Sequence, residues 1–174
     1  MACSITLTAQ SLDCSPNIGG VKAVWLANRD DVVLSSISTI AATLSAAAGK
    51  TNPVFKKIGV RSGISSFTST AQVSEENNTL YYRDEVAVVI NKMTQNALDL
   101  ISRVPSGDML CVVEDMNGEK WLIGYGGRIL VAGSVLETGT AKTDRNGETL
   151  TLACDHPGTI KRVNPATSAS IFSN

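Results

Sequence analysis

The chain has 174 residues, 43% hydrophobic and 18% charged, with fifteen Lys and Arg against sixteen Asp and Glu and a formal net charge of −1. That length fits one domain, which buries roughly 70% of the surface its unfolded chain exposes and needs neither disulfides nor metals to hold it. The charge balance argues against nucleic-acid binding by simple attraction, the many small neutral residues suit a subunit that meets other subunits, and no run reaches the roughly eighteen apolar residues of a membrane span.

Met1 to Leu7 lack the basic region and apolar stretch of a leader, so a cytosolically made, soluble protein without membrane contact is expected. Residues 18–28, following the Gly19-Gly20 breaker, predict a first strand with Val21, Ala23 and Trp25 on one face. Residues 30–52 are rich in Ser, Thr and Ala. Their Ile37, Ile40, Ala41 and Leu44 fit a weak helical stripe as well as an extended loop, which leaves the segment unassigned and makes it a candidate arm. Val54 to Val60 is a short β run, and Ile64, Phe67 and Val73 punctuate a Ser/Thr-rich stretch suited to a half-exposed pleat.

Past the polar break Glu75-Glu76-Asn77-Asn78, Thr79 to Ile90 alternates as one long strand. Thr94 can cap a helix whose stripe is Ala97, Leu98, Leu100, Ile101 and Val104, stopped by Pro105-Ser106-Gly107; the stripe should cover an open sheet face. Met109 to Glu114 and Lys120 to Tyr125 flank Asn117-Gly118. Arg128 to Ala132 and Ser134 to Thr143 lead to Asn146-Gly147, and Glu148 to Cys154 follows. Each Asn-Gly pair predicts a tight type I′ hairpin, because both residues accept φ > 0. Ile160 to Asn174 reads as a short strand and then a flexible tail over 164–174. The expected fold is mainly β: an antiparallel β-sandwich or barrel with one flanking α-helix.

Chemistry-bearing patterns are sparse. His156, the single histidine, sits between Asp155 and Pro157 and reads as a solvated turn residue. Cys3, Cys14, Cys111 and Cys154 have irregular spacings and read as structural. The doublets Asp30-Asp31, Glu75-Glu76 and Glu114-Asp115 point to opposite faces if on strands, so they read as solvated turns and strand ends. Gly124-Tyr125-Gly126-Gly127-Arg128 lacks the Gly-Lys-Ser/Thr of a phosphate loop and reads as a β-turn or bulge. Trp25 and Trp121, with Tyr81, Tyr82 and Tyr125, are core candidates before they are a stacking platform. No catalytic, cofactor-binding or metal-ligating residue is assigned, no cofactor is implied, and the chain is not expected to be an enzyme.

The order of these pieces carries a resemblance. The strand Gly19-Gly20-Val21-Lys22-Ala23-Val24-Trp25, the long strand Thr79 to Ile90 and the helix near Thr94 to Val104 come first. Leu110 to Gly124, Glu137-Thr138-Gly139-Thr140 and Asp144 to Leu152 follow. Over residues 18–155 this resembles the tail tube proteins of tailed bacteriophages, in the form found in phages of Bacteroidetes hosts, including crAss-like phages. The resemblance implies a single tail tube-like domain over 1–174, with a possible assembly arm at 30–52 that gains order on assembly. It also implies rings made by joining sheets edge to edge, six-fold in a tube and twelve-fold possible in a head-tail connector or neck. Partners would then be other copies, other tail, neck or portal proteins, and DNA in transient non-specific passage. The place would be the virion, assembled in the host bacterial cytoplasm. A different class, a β-sandwich carbohydrate-binding module for host recognition at a tail, is the alternative.

Overall fold

The computed structural model describes residues 16–35, 37–38, 41–61, 63–104 and 107–173, with the side chains of Ala97 and Ile101 left aside. Among the described residues eleven strands form two sheets with one α-helix, a mainly β sandwich as expected. The strands are β1 (Val21–Asn28), β2 (Val32–Ser35), β3 (Ala41–Ala46), β4 (Lys56–Ile58), β5 (Ser66–Ser74), β6 (Thr79–Asn91), β7 (Met109–Asp115), β8 (Lys120–Ile123), β9 (Leu130–Glu137), β10 (Gly147–His156) and β11 (Lys161–Val163); α1 is Gln95–Arg103. The larger sheet runs β2-β3-β11-β8-β7-β1-β4 and is mixed, since β11 pairs parallel to β3. The smaller runs β5-β6-β10-β9 and is antiparallel throughout.

Alternation along each strand divides the core in two. Val24, Leu26, Cys111, Val113 and Ile123 of the larger sheet meet Val86, Val88, Leu150 and Leu152 of the smaller. On the opposite face Ala23, Trp25, Leu110, Val112 and Leu122 are covered by Ala42, Leu44, Val163, Phe55 and Ile171, so the larger sheet is curled around a second core. Strands β1 and β7 are therefore buried on both faces, which is why both read as nearly continuous apolar runs. Val21 does not share a face with Ala23 and Trp25. A register shift between Val21 and Ala23 turns it into the inter-sheet core instead.

Two segments are more built-in than their sequences suggest. Within 30–52, a 3₁₀ turn (Arg29–Asp31) leads into β2 and β3, and Val32, Ala42 and Leu44 are buried. These parts of the candidate arm thus belong to the fold of one subunit, and Ser36, Thr39 and Ile40 lie outside the described residues. The stretch expected as a flexible tail is docked up to Ser173. Ile171 is buried, Phe172 packs on Trp25 and Phe55, the Trp25 indole donates to the Ser173 carbonyl at 2.9 Å, and the Ser173 N–H donates to Phe55 at 2.9 Å. Phe55 and Trp25 supply an apolar seat that no local pattern in 164–174 reveals.

Neither Asn-Gly pair forms a type I′ turn. Asp115 and Glu119 close a three-residue loop in which Gly118 alone has positive φ, +89°, and the Asp115 carboxylate accepts from the N–H groups of Asn117 and Glu119. Asn146-Gly147 opens β10 at the end of a nine-residue connection, 138–146, so β9 and β10 form an antiparallel hairpin with a long loop in place of a tight turn. Glycine is needed there because a Cβ would lie 2.3 Å from the Ile90 carbonyl oxygen of β6. Helix α1 packs Leu100, together with the adjoining Val104, against one end of the inter-sheet core.

Candidate assembly surface

The two sheets treat their edges differently. The larger sheet ends in β2, four residues, and β4, three residues of which two are Lys56 and Lys57, both short or charged in the manner that blocks further pairing. The smaller sheet ends in β5, with nine residues (SFTSTAQVS), and β9, with eight (LVAGSVLE). Neither contains Lys, Arg or Pro, and the single charge is Glu137 at the end of β9. One protective device is present, a bulge in β9 opposite Thr151 and Leu152. Among the described residues no strand pairs with the outer side of β5 or β9.

The direction of the free backbone groups follows from β6. The Val89 carbonyl accepts from the Arg61 N–H at 2.8 Å and the Val89 N–H donates to the Ser65 hydroxyl at 3.2 Å, so Val89 turns both groups toward the β5 side. Alternate residues do the same. Arg83 and Glu85 therefore bond Thr70 and Thr68, and Ser69, Ala71 and Val73 turn their N–H and C=O groups to the open edge. The same count across β10 makes Val135 bond Thr149 and leaves Ser134 and Leu136 facing outward on β9. Successive antiparallel pairings also make β5 and β9 run in opposite directions, so an edge of one copy meets the other edge of a rotated copy as an antiparallel pair.

The face of this sheet that points away from the core carries the small or neutral side chains Thr68, Thr70, Gln72, Ala87, Thr149 and Thr151, with Tyr81, Leu130 and Val135 exposed among them. Two arginines reach it. Arg83 is held by Glu85 at 2.7 Å and Asp155 at 3.4 Å, and Arg145 by Glu137. Beside this sheet, the 138–146 loop is ordered by Asp144, whose carboxylate accepts from the Thr140 and Ala141 N–H groups at 2.8 and 2.7 Å; these bonds hold it below the usual carboxylate range.

Several polar side chains are buried in the sandwich. His156 is 2% exposed, and its Nε2 lies 2.6 Å from Asp84 Oδ2, itself fully buried. The reading of His156 as a solvated turn residue is thus corrected: β10 continues through it, in the same alternation as Leu150, Leu152 and Cys154. Asp84 likewise follows the inward register of Val86 and Val88, so extending both alternations by one step would have found the pair. Glu148 is also fully buried, one carboxylate oxygen has no hydrogen-bond partner among the described residues, and burial raises its carboxyl above the ordinary value. Because the folded value lies above the unfolded one, its contribution is fully present below the unfolded pKa and is lost as pH rises through the folded pKa. Burial also pushes the Cys111 thiol up and the Cys154 thiol up to about 11, which keeps both inert; Cys3 and Cys14 lie outside the described residues.

The doublets separate as follows. Glu75 and Glu76 cap the β5–β6 hairpin, and Asp31 pairs with Lys50 at 2.7 Å. Glu114 is buried between Lys22 and Lys120, whereas Asp115 serves the β7–β8 turn. Trp25 is 5% exposed, and the Trp121 indole donates to Asp115 at 3.2 Å, so the two do not form an open stacking platform. The Gly124–Arg128 connection passes from one sheet to the other and is clamped by the Arg29 guanidinium, which donates to the Gly124 and Tyr125 carbonyls at 2.6 Å each. No group of three or more His, Cys, Asp or Glu is placed to hold a metal ion among the described residues. Among the described residues no helix is long and apolar enough to cross a membrane. Comparison with protein-family models, with curated proteins and with solved structures finds no match to this chain.

Proposed function

We propose that the chain is a structural virion protein that forms rings of a phage tail tube or head-tail connector, through which the genome passes. The observation that carries this reading is the pair of long, uncharged, opposed edges of the β5-β6-β10-β9 sheet. A rotation that brings β9 of one copy beside β5 of the next continues the sheet with antiparallel pairing and leaves no open edge once the ring closes. Six copies give about 24 strands. With about 4.8 Å between strands and a tilt of about 40°, the backbone circle is about 48 Å across, and twelve copies double it.

Apart from the β5–β6 tip, the core face of this sheet is largely covered, so its other face would line the bore. Uncharged threonines and acid-held arginines there suit the sliding of DNA, because no free row of cations grips the phosphates. Other tail, neck or portal proteins would meet the two ends of the ring, and the place of the protein would be the virion.

Hydrogen exchange tests the edge pairing. On assembly the amides of Ser69, Ala71, Val73, Ser134 and Leu136 should gain protection, while those of Thr68 and Thr70, already bonded within the subunit, should change little. Unchanged exchange at the outward amides in an assembled particle would place the contact elsewhere.

A further inference from the structure

The β5–β6 hairpin overruns the sandwich. Val73 and Leu80 are directly paired, and by alternation they point to the same side as Phe67 and Val86, which pack in the core; yet they are 69% and 51% exposed. The turn beyond them holds Glu75 and Glu76, both exposed and without an ion-pair partner among the described residues. This tip is apolar on its core-side face and acidic at its end.

A groove at the other end of β6 has the opposite character. It has a volume of about 630 Å³, with Leu26, Ile58, Leu100 and Met109 among its apolar lining. Lys56 and Lys92 at its margin are exposed and have no carboxylate partner among the described residues, whereas the one acid in the lining, Asp31, is held by Lys50. Lys92 keeps a left-handed backbone, φ +68°, directly after β6. Such a conformation in a residue other than glycine is uncommon and is often found at functional positions.

Tip and groove are separated by the thirteen residues of β6, about 40 Å at the usual rise per residue. We infer that the groove receives the 73–80 hairpin tip of a second copy displaced along the strand axis, with Glu75 and Glu76 meeting Lys56 and Lys92 and with Val73 and Leu80 entering the apolar lining. This contact joins ring to ring, and in that form it rests on the ring reading above. It is heterologous, so it repeats without closing and produces a tube.

A charge exchange tests it on the full chain. Glu75→Lys with Glu76→Lys should leave single rings and thermal stability intact and raise the concentration needed for stacking by about 100-fold or more, since like charges meet in the contact. Adding Lys56→Glu with Lys92→Glu to that variant should restore stacking. Tubes from the Glu75/Glu76 variant at wild-type concentration, a four-fold variant that does not stack, or a wild-type chain that never associates would each overturn the contact. Rings that stack regardless of these charges would leave the ring reading standing. Linear oligomers that depend on the tip but contain no closed ring would support the contact and overturn the ring.

Discussion

Ser69→Pro should abolish lateral assembly while leaving the subunit folded. Ser69 lies mid-way along β5 and turns its N–H to the open edge, so proline there removes a donor that the isolated subunit does not use. The variant should keep the thermal transition of the wild-type subunit within a few degrees and remain monomeric at concentrations where the wild type is fully assembled. Thr70→Pro is the matched control. The Thr70 N–H bonds β6, so proline there should cost about 3 kcal/mol and unfold the hairpin as well. Assembly by Ser69→Pro equal to that of the wild type would show that β5 is not the joining edge.

Ending the chain at Ala169 should be the most destabilising change outside the central strands. The truncation removes Ile171 and Phe172, opens the cover over Trp25 and Phe55, and deletes two backbone hydrogen bonds to Phe55. Large-to-small changes at comparable buried positions cost about 2–5 kcal/mol each, so a loss of about 4 kcal/mol or more is expected, a large part of the stability of a domain this size. Denaturant midpoints measure it. A shift below about 1 kcal/mol would mean that the segment behaves as the loose tail suggested by its polar composition.

Where alternation was long, the sequence was readable: β6, β10 and the apolar runs of β1 and β7 stand out because one or both faces are buried over many residues. Strands β2 and β3 escaped notice since they are only four and six residues long and are built from Ala, Ser and Thr around a few large side chains. Strand β3 is held by β11, distant in sequence, and β2 pairs in turn with β3, so local propensity alone does not reveal them. The Asn-Gly pairs misled for a different reason. Turn chemistry permits a hairpin, but packing decides the connection, and at Gly147 the glycine serves close approach to β6. His156 was masked by Pro157, which looked like the end of a strand that in fact runs one residue further than Asp155. As for the assembly surface, 66–74 and 130–136 carry no charge in the sequence, whereas only the fold makes these two segments the edges of one sheet.

The most direct measurement is the particle mass and rotational symmetry of the purified wild-type protein, by mass photometry with negative-stain class averages. Closed rings of six copies, alone or stacked, are the expected result; closed rings of twelve would keep the account and move the protein to the connector or neck. Two-fold dimers joined through a single edge, or a chain that stays monomeric at high concentration, would contradict it.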